Sequence, residues 1–245
     1  NPAVSTPKSS PVPPPPDRPG GEFALIDWIR RQADPHPRLQ VGIGDDAASV
    51  SWPDTDSTLI AVDMLVEGVH FRCPEATPEQ IGRKSLAVNL SDIAAMAGRP
   101  IAAVVSVALP RSWHGEPAQR LHSGLTDLAR ETGVALAGGD TTSTDGPLVI
   151  SVTVIGESPP GGPVLRSGAQ PGDRVLVTGH LGGSLDGHHL DFTPRLSEAV
   201  ALFEAGGLHA MIDISDGLAT DLHHLLYASG VGARLIAAHI PLNQL

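Results

Sequence analysis

Helix-type spacing of apolar residues is clearest in the stretch that begins at residue 77. Thr77-Pro78-Glu79-Gln80 matches a capping box with proline in the first helical turn. The pattern predicts a helix from there to about Ala97, where Gly98 can end it. One apolar stripe of this helix follows spacings of four, three and four residues: Leu86, Leu90, Ile93 and Ala97. Further helices are predicted over residues 118–131, 194–205 and 218–229, with a short one near residues 23–30.

Short runs of apolar residues between these helices predict strands. The runs cover residues 58–62, 101–109, 134–137, 148–155, 174–178, 208–212 and 233–238. Strands that alternate with helices favour α/β layers, so the fold class predicted is mixed α/β. The sequence Pro159-Pro160-Gly161-Gly162-Pro163 is typical of a domain boundary.

Three segments follow from this division. Residues 1–20 contain eight prolines and predict a disordered tail. Residues 21–158 form a first domain, and residues 164–245 form a second α/β domain. The second is small for a sheet covered by helices, so we expect it to be incomplete.

Composition narrows the class of partner. The net charge of −11 argues against nucleic acid or an anionic membrane. A substrate rich in phosphate would then need cations to bridge it to the protein. The single cysteine, Cys73, excludes an internal disulfide and agrees with a reducing compartment such as the cytoplasm. No apolar run reaches the ~18 residues that a membrane span needs.

Aspartates recur where predicted strands or helices end, which is where α/β sheets usually form ligand sites. A single aspartate there is more often a turn residue or a helix cap. Several together would repel one another unless cations or protons lay between them, and Mg²⁺ prefers oxygen ligands. The pattern therefore predicts a site with several magnesium ions and phosphate. Its members are Asp45, Asp46, Asp63, Asp92, Asp140, Asp213 and Asp216.

Three motifs keep two interpretations each. On the predicted helix, a polar stripe of Ser85, Asn89 and Asp92 faces either a site or a satisfied polar core. The turn 138–142, with two glycines, an aspartate and two threonines, suits phosphate with a metal or is a plain tight turn. In the loop 212–218, a carboxylate or hydroxyl can cap the next helix, although Asp213 is not needed for capping.

Other phosphate motifs are absent or rejected. The sequence has no G-x-x-x-x-G-K-[ST] loop and no kinase H-R-D segment. The loose dinucleotide fingerprint at residues 42–47 is rejected because its two aspartates would repel a bare pyrophosphate. The histidine pairs 188–189 and 223–224 lack partners at zinc-ligand spacing, so we interpret them as solvated.

Taken in order, the motifs resemble those of thiamine-monophosphate kinases. The segments that carry the resemblance are 21–23, 42–47, 63–71, 84–96, 138–142, 166–173 and 212–218. Each is loose alone, but seven in the right order are specific. The resemblance implies the two-domain fold shared with aminoimidazole-ribotide synthetase and selenophosphate synthetase, with N-terminal domains paired in a homodimer. It also implies transfer of the γ-phosphoryl group of ATP to thiamine monophosphate.

The resemblance further assigns residues by matching position. Magnesium ligands would be Asp46, Asp63, Asp92, Asp140, Asp213 and Asp216. ATP contacts would be Gly139, Asp140, Arg166 and Ser215, and His70 would contact the substrate. No general base is implied, because the acceptor is already an anionic phosphate oxygen.

Three departures from the family pattern keep other functions open. Ala61 and Val62 stand where the family usually has Ser-Thr, so one magnesium site is in doubt and Val62→Thr is expected to raise magnesium affinity or turnover. The stretch 182–197 is short and carries Asp191 before Phe192-Thr193-Pro194. The family's Gly-Gly-Glu-Asp-Tyr-Glu segment and late aromatic do not occur before Leu245. The alternatives are a catalytically silent nucleotide- and metal-binding protein and a same-fold enzyme with another acceptor.

Overall fold

The computed structural model describes residues 39–41, 44–51, 57–73, 75–113 and 115–243. The predicted tail over 1–20 and the short helix near 23–30 lie outside the described residues. The strands are β1 (Leu39–Val41), β2 (Ala48–Val50), β3 (Thr58–Val66), β4 (Arg99–Pro110), β5 (Ala135–Thr144) and β6 (Val149–Glu157). The α-helices are α1 (Pro78–Ala95), α2 (Glu116–Thr132), α3 (His188–Asp191), α4 (Leu196–Ala205) and α5 (Leu218–Ser229).

The six strands form one sheet in the order β1-β2-β3-β6-β4-β5. Strands β4 and β5 are parallel and are joined through α2, whereas the other neighbours are antiparallel. The β3 strand is longer than predicted, because it pairs with β6 from Thr58 opposite Glu157 to Val66 opposite Val149. Asp63 consequently lies inside a strand and not at its end.

Helix α1 begins as the sequence predicts. The Gln80 amide donates to Thr77 Oγ1 at 3.2 Å, and the Thr77 amide donates to Gln80 Oε1 at 3.0 Å. A Cβ atom at Gly82 would collide with the carbonyl of Leu121, so this glycine lets α1 and α2 approach closely. The two helices cover one face of the sheet.

The hydrophobic core lies between this helix pair and the sheet. The largest fully buried side chains include Leu59, Ile81, Leu86, Leu90, Ile93, Met96, Leu128, Ile150, Val152 and Val154. The apolar stripe predicted on α1 is buried, because Leu86, Leu90 and Ile93 all belong to this core. The opposite face of the sheet stays open, and Val62 and Met64 are 62% and 57% exposed there.

The predicted strands 174–178, 208–212 and 233–238 are wrong, because the single sheet contains no residue after Glu157 among those described. A strand needs a partner whose backbone groups complete its hydrogen bonds. These segments join no strand ladder, residues 237 and 238 begin a 3-10 turn, and apolar side chains such as Leu176 and Ile236 remain exposed. Among the described residues after Glu157, the one β-bridge is an isolated pairing of Leu181 with Leu242.

The mixed α/β class is confirmed by the sheet and its helical layer, whereas the division into domains stays a prediction. Within the described residues, none of the helices combines the length and the apolar character needed to span a membrane.

Candidate metal and phosphate site

Three carboxylates from separate parts of the chain converge beside the sheet. Asp46 lies in the loop between β1 and β2, Asp92 in the last turns of α1, and Asp213 in the loop before α5. One oxygen from each lies within 4.8 Å of the others. Asp46 and Asp92 are 46 residues apart along the sequence, and Asp92 and Asp213 are 121 residues apart, so only folding brings the three side chains together. We call this cluster the carboxylate triad.

Arg166 is bound to one member of the carboxylate triad. Its Nε donates to Asp46 Oδ2 at 2.8 Å and its Nη2 donates to Asp46 Oδ1 at 2.9 Å, which is the bidentate geometry of a strong ion pair. The Asp46 side chain is fully buried, whereas a quarter of the Arg166 side chain is accessible. The guanidinium therefore supplies a positive charge to the cluster and keeps one side open to a ligand.

Two further side chains fix the geometry of the carboxylate triad. Ser91 Oγ donates to Asp213 Oδ2 at 2.8 Å, which ties the loop before α5 to helix α1. Asp45 accepts the amide of Asp46 at 3.0 Å and the amide of Arg166 at 3.3 Å. Asp45 thus joins the two segments that carry the ion pair.

The electrostatics of the triad favour binding of a cation. Burial, and after it the neighbouring charges of Asp63, Asp213 and Asp46, raise the pKa of Asp92 to about 9. Burial and the Asp46 charge raise the pKa of Asp213 to about 7, against the Ser91 hydrogen bond, which lowers it. Asp92 consequently holds a proton near neutral pH, and Asp213 is partly protonated there, unless a metal ion replaces the protons.

The donor set fits magnesium. Carboxylate oxygens are hard ligands of the kind that Mg²⁺ prefers, and the separation of up to 4.8 Å allows one ion to contact more than one of them. No histidine or cysteine belongs to this group of described residues. A softer metal such as zinc is therefore not favoured by the ligands present.

Asp63 and His70 lie next to the triad without belonging to it. Burial raises the pKa of Asp63, and the charge of His70 opposes that rise. Asp63 in turn raises the pKa of Asp92, so the two carboxylates are neighbours. His70 is exposed in the turn that follows β3. This edge of the site thus continues from the triad through Asp63 toward His70.

Gly139 and Asp140 are not brought to the triad. The prediction that they form a turn after a strand is wrong, because β5 continues through them to Thr144. A bulge at Gly138, whose φ is 146°, keeps the strand paired with β4. Asp140 is in register with Ser106 and, through β6, with Met64, so its side chain belongs to the open face of the sheet. Its strand is three strand spacings, about 14 Å, from β3.

Ser215 and Asp216 lie in the same loop as Asp213 but are exposed and outside the triad. The Asp216 amide donates to Asp221 Oδ2 at 3.1 Å. Asp221 is buried in the first turn of α5, and burial raises its pKa. The loop is therefore held by Asp221 from within α5. The cap by Ser215 or Asp216 that the sequence allows is not formed, because the N-cap is Gly217 and no side chain caps the helix.

The polar stripe on α1 divides between its two interpretations. Ser85 Oγ donates to the Gly82 carbonyl at 2.8 Å, and Asn89 Nδ2 donates to the Ser85 carbonyl at 3.1 Å. Both residues are buried, as in a polar core, and Asn89 Oδ1 has no hydrogen-bond partner. Only Asp92 reaches the site.

The two residues that depart from the family pattern lie on opposite faces of β3. Ala61 is buried on the face that carries Asp63, between Leu59 and Leu65. Val62 is on the open face, so its side chain points away from Asp63. The loss of a hydroxyl near the metal site therefore concerns Ala61, and a threonine at position 62 would not direct its hydroxyl at the triad.

Sequence reasoning missed several residues that shape the site. Ser91 directly precedes the predicted ligand Asp92 but is not among the predicted site residues. Asp221 lies in the first turn of α5, where an acidic residue is ordinarily interpreted as favourable to the helix dipole. Lys84 contacts His189 Nδ1 at 3.0 Å, so the interpretation of His189 as simply solvated is wrong. Adjacency to a predicted ligand is the one available signal for Ser91.

The chain is similar to known proteins in both sequence and structure. The family model described as AIR synthase related protein, N-terminal domain, matches residues 44–158. Thiamine-monophosphate kinase from Rhodopirellula baltica is 41% identical over 230 residues, covering 91% of this chain and 72% of that protein. Thiamine-monophosphate kinase from Bacillus subtilis is 37% identical over 247 residues, covering 91% and 75%.

A solved structure extends the likeness to three dimensions. AaThiL complexed with AMPPCP and TMP matches with a TM-score of 0.81 and 32% sequence identity, covering 91% of this chain and 75% of that one. The match reaches beyond the sheet and its two helices, into the part of the chain that carries Arg166 and Asp213.

Proposed function

Because this chain belongs to the thiamine-monophosphate kinase family, we propose that it transfers the γ-phosphoryl group of ATP to thiamine monophosphate, which gives thiamine diphosphate. The family assignment rests on relatives such as the one that is 41% identical over 72% of its own length. The observation that carries the proposal is the carboxylate triad with Arg166 bound to Asp46. Such a site can hold cations and phosphate together.

The reaction needs positioning and charge stabilisation more than proton transfer. The acceptor is a phosphate whose oxygen is already anionic, so no residue is required as a general base. The barrier lies in bringing two polyanions into line. Arg166 offers a guanidinium fork that suits a phosphate oxygen pair, and its accessible side leaves room for one.

Magnesium is part of the proposal. Asp46, Asp92 and Asp213 would hold it, with Asp63 as a neighbouring carboxylate that affects the same charge balance. When bound, the ion neutralises phosphate charge and fixes the geometry of the transfer. Ser91 orients Asp213, and Asp45 orients the segments of Asp46 and Arg166, so the chain prepares the ligand oxygens in advance.

The remaining predicted site residues have different support. Ser215 and Asp216 share a loop with Asp213, so we propose that they contact the nucleotide or its metal when the loop is occupied. His70 is proposed on the acceptor side, next to Asp63. Gly139 and Asp140 lie on the open sheet face, so we propose that they do not share the ion held by the triad.

The experiment is to incubate the chain with ATP, Mg²⁺ and thiamine monophosphate and to separate the products by chromatography. We expect thiamine diphosphate to form, and chelation of Mg²⁺ to stop it. Asp92→Asn is expected to reduce the rate at least a hundredfold, because it removes a ligand of the magnesium ion that stabilises the charge of the transition state. Asp127→Asn is the matched control, since Asp127 is an exposed helical aspartate paired with Arg130.

One observation favours a second function, that of a silent nucleotide- and metal-binding protein. Ala61 supplies no hydroxyl on the face of β3 that carries Asp63. A chain that is stabilised against heat by Mg²⁺ and ATP but forms no thiamine diphosphate would support this alternative and contradict the kinase.

We propose that the chain forms a homodimer through the open face of the sheet. Val62, Met64, Val104 and Ile155 are all exposed there, and a row of apolar side chains on a sheet face is typical of a protein interface. Light scattering after size exclusion tests this, and Val62→Lys with Met64→Lys is expected to give monomers. A wild-type chain that is monomeric at micromolar concentration would contradict the proposal.

We also propose a cytoplasmic location, which the single cysteine, Cys73, supports because it leaves no intrachain disulfide to require an oxidising compartment. Fractionation of cells that express the protein, followed by immunodetection, tests this. Recovery with a secreted or membrane fraction would contradict it.

A further inference from the structure

His70 lies in a turn whose backbone is fixed by hydrogen bonds. The amides of Val69 and His70 both donate to the Val66 carbonyl, at 3.1 and 3.0 Å, and the Gly68 amide donates to the Phe71 carbonyl at 2.8 Å. Phe71 is buried in the core and anchors the end of the turn. The position of His70 is thus set by its surroundings although its side chain is exposed.

The ring of His70 is held in one tautomer. The Val66 amide donates to His70 Nδ1 at 3.0 Å. Because an amide N–H can only donate, Nδ1 is the unprotonated nitrogen and the ring proton is on Nε2. The Nε2–H group remains as a donor, and an anionic phosphate oxygen is an acceptor that suits it.

Lys84 connects this turn to a distant part of the chain. From α1, its ammonium donates to the His70 carbonyl at 2.8 Å and contacts His189 Nδ1 at 3.0 Å in α3. Helix α3 is fastened to α1 one turn earlier, where Gln80 Nε2 donates to Asp191 Oδ2 at 2.7 Å. Since both of these Lys84 contacts are to neutral acceptors, neither compensates the charge of the ammonium beside His70.

We propose that Lys84 is a positioning residue for the acceptor side of the site: by bridging the His70 main-chain carbonyl and His189 it holds the turn in which the Val66 amide keeps His70 as an Nε2–H donor for an anionic phosphate. Its uncompensated charge adds a favourable potential for the same anion. The inference rests on the proposed function, in which the acceptor is a phosphate monoester. It assigns a role to the short segment before α4, which otherwise has no part in the site.

The test is calorimetric binding of thiamine monophosphate in the presence of Mg²⁺ and AMPPCP. Lys84→Met keeps the length of the side chain and removes its charge and donors. We expect the Kd for thiamine monophosphate to rise about tenfold, as hydrogen bonds from charged groups are strong, while the Kd for AMPPCP changes less than twofold. Arg83→Met is the matched control, because Arg83 is the adjacent α1 residue and pairs with Glu131. An unchanged Kd, or equal losses for both ligands, would overturn the proposal.

A second measurement separates positioning from a purely structural role. Long-range ¹H–¹⁵N spectra of the ligand-free protein report the tautomer of His70. We expect Nε2–H in the wild type and a mixture of tautomers in Lys84→Met; the same single tautomer in both would overturn the proposal. His189→Ala removes the second hydrogen-bond acceptor of Lys84, and it replaces Lys84→Met in the test if that variant does not fold. It is expected to weaken thiamine monophosphate binding about threefold, and unaltered binding would count against Lys84 as a bridge.

These readouts are independent of turnover. A wild-type chain that binds thiamine monophosphate but forms no thiamine diphosphate contradicts the proposed function and leaves the affinity comparison decisive for Lys84. A wild-type chain that does not bind thiamine monophosphate contradicts both.

Discussion

Replacing Asp92 by asparagine tests whether the carboxylate triad lowers the free energy of unfolding when no metal is bound. The pKa of Asp92 is raised from 3.8 to about 9 by burial and by neighbouring carboxylates. A group with a raised pKa contributes stability that is fully present below its unfolded pKa and is lost as the pH rises through the folded pKa. For Asp92 the loss extends from about pH 4 to about pH 9.

The size of the effect follows from these values. At pH 7, about three pH units above the ordinary pKa of an aspartate, the carboxyl of Asp92 still holds its proton in the folded state but is ionised in the unfolded state. At about 1.4 kcal/mol for each unit, this difference lowers the free energy of unfolding by about 4 kcal/mol. Asparagine removes the titration, but its amide must still be hydrogen-bonded when buried. We therefore expect Asp92→Asn to raise the metal-free free energy of unfolding by about 2 kcal/mol at pH 7.

The assay is urea unfolding followed by circular dichroism, with chelator present, at pH 5, 7 and 8.5. The wild type is expected to lose stability across this range, and the variant is expected to lose less. Added Mg²⁺ should stabilise the wild type and leave Asp92→Asn almost unchanged, while Asp127→Asn behaves like the wild type. A metal-free variant that is less stable than the wild type at pH 7, with an equally steep pH dependence, would refute this reasoning.

Three other substitutions test individual contacts. Arg166→Met leaves Asp46 buried without its partner, so we expect about 3 kcal/mol of destabilisation in urea without metal and less with Mg²⁺; equal losses in both would contradict this. Ser91→Ala removes the hydrogen bond that lowers the pKa of Asp213. The affinity for Mn²⁺, measured by calorimetry, should therefore fall several-fold at pH 7 and recover near pH 9. A loss that does not depend on pH would contradict this role of Ser91. Val62→Thr places its hydroxyl on the open face of β3, so unchanged Mn²⁺ affinity is expected and a gain would contradict the assignment of faces.

The first part of the chain was largely predictable because its signals are local. The capping box at Thr77 and the apolar stripe of α1 fix a helix and its buried side before any tertiary contact is known. Strand ends were less predictable, since β3 and β5 extend as far as their partners allow. The segments after Glu157 that the sequence predicts as strands show the same limit in the other direction, because β-type composition does not form a strand without a neighbour.

The site divides in the same way. Residue order and type indicated Asp46, Asp92 and Asp213, because buried carboxylates in a phosphate motif need a cation. The bidentate contact of Arg166 with Asp46 and the bond from Ser91 to Asp213 depend on side-chain geometry between distant segments. The predicted turn at Asp140 is wrong because two adjacent glycines usually indicate the end of a strand, whereas here one of them forms a bulge inside it.

The most direct measurement is Mn²⁺ binding followed by electron paramagnetic resonance at pH 8 in the presence of AMPPCP. The account predicts that Asp92→Asn and Asp213→Asn each abolish a tight Mn²⁺ site, while Asp140→Asn and Asp127→Asn leave it intact. Tight binding that survives the loss of Asp92 and of Asp213 would contradict the claim that these carboxylates gather the cation for phosphoryl transfer.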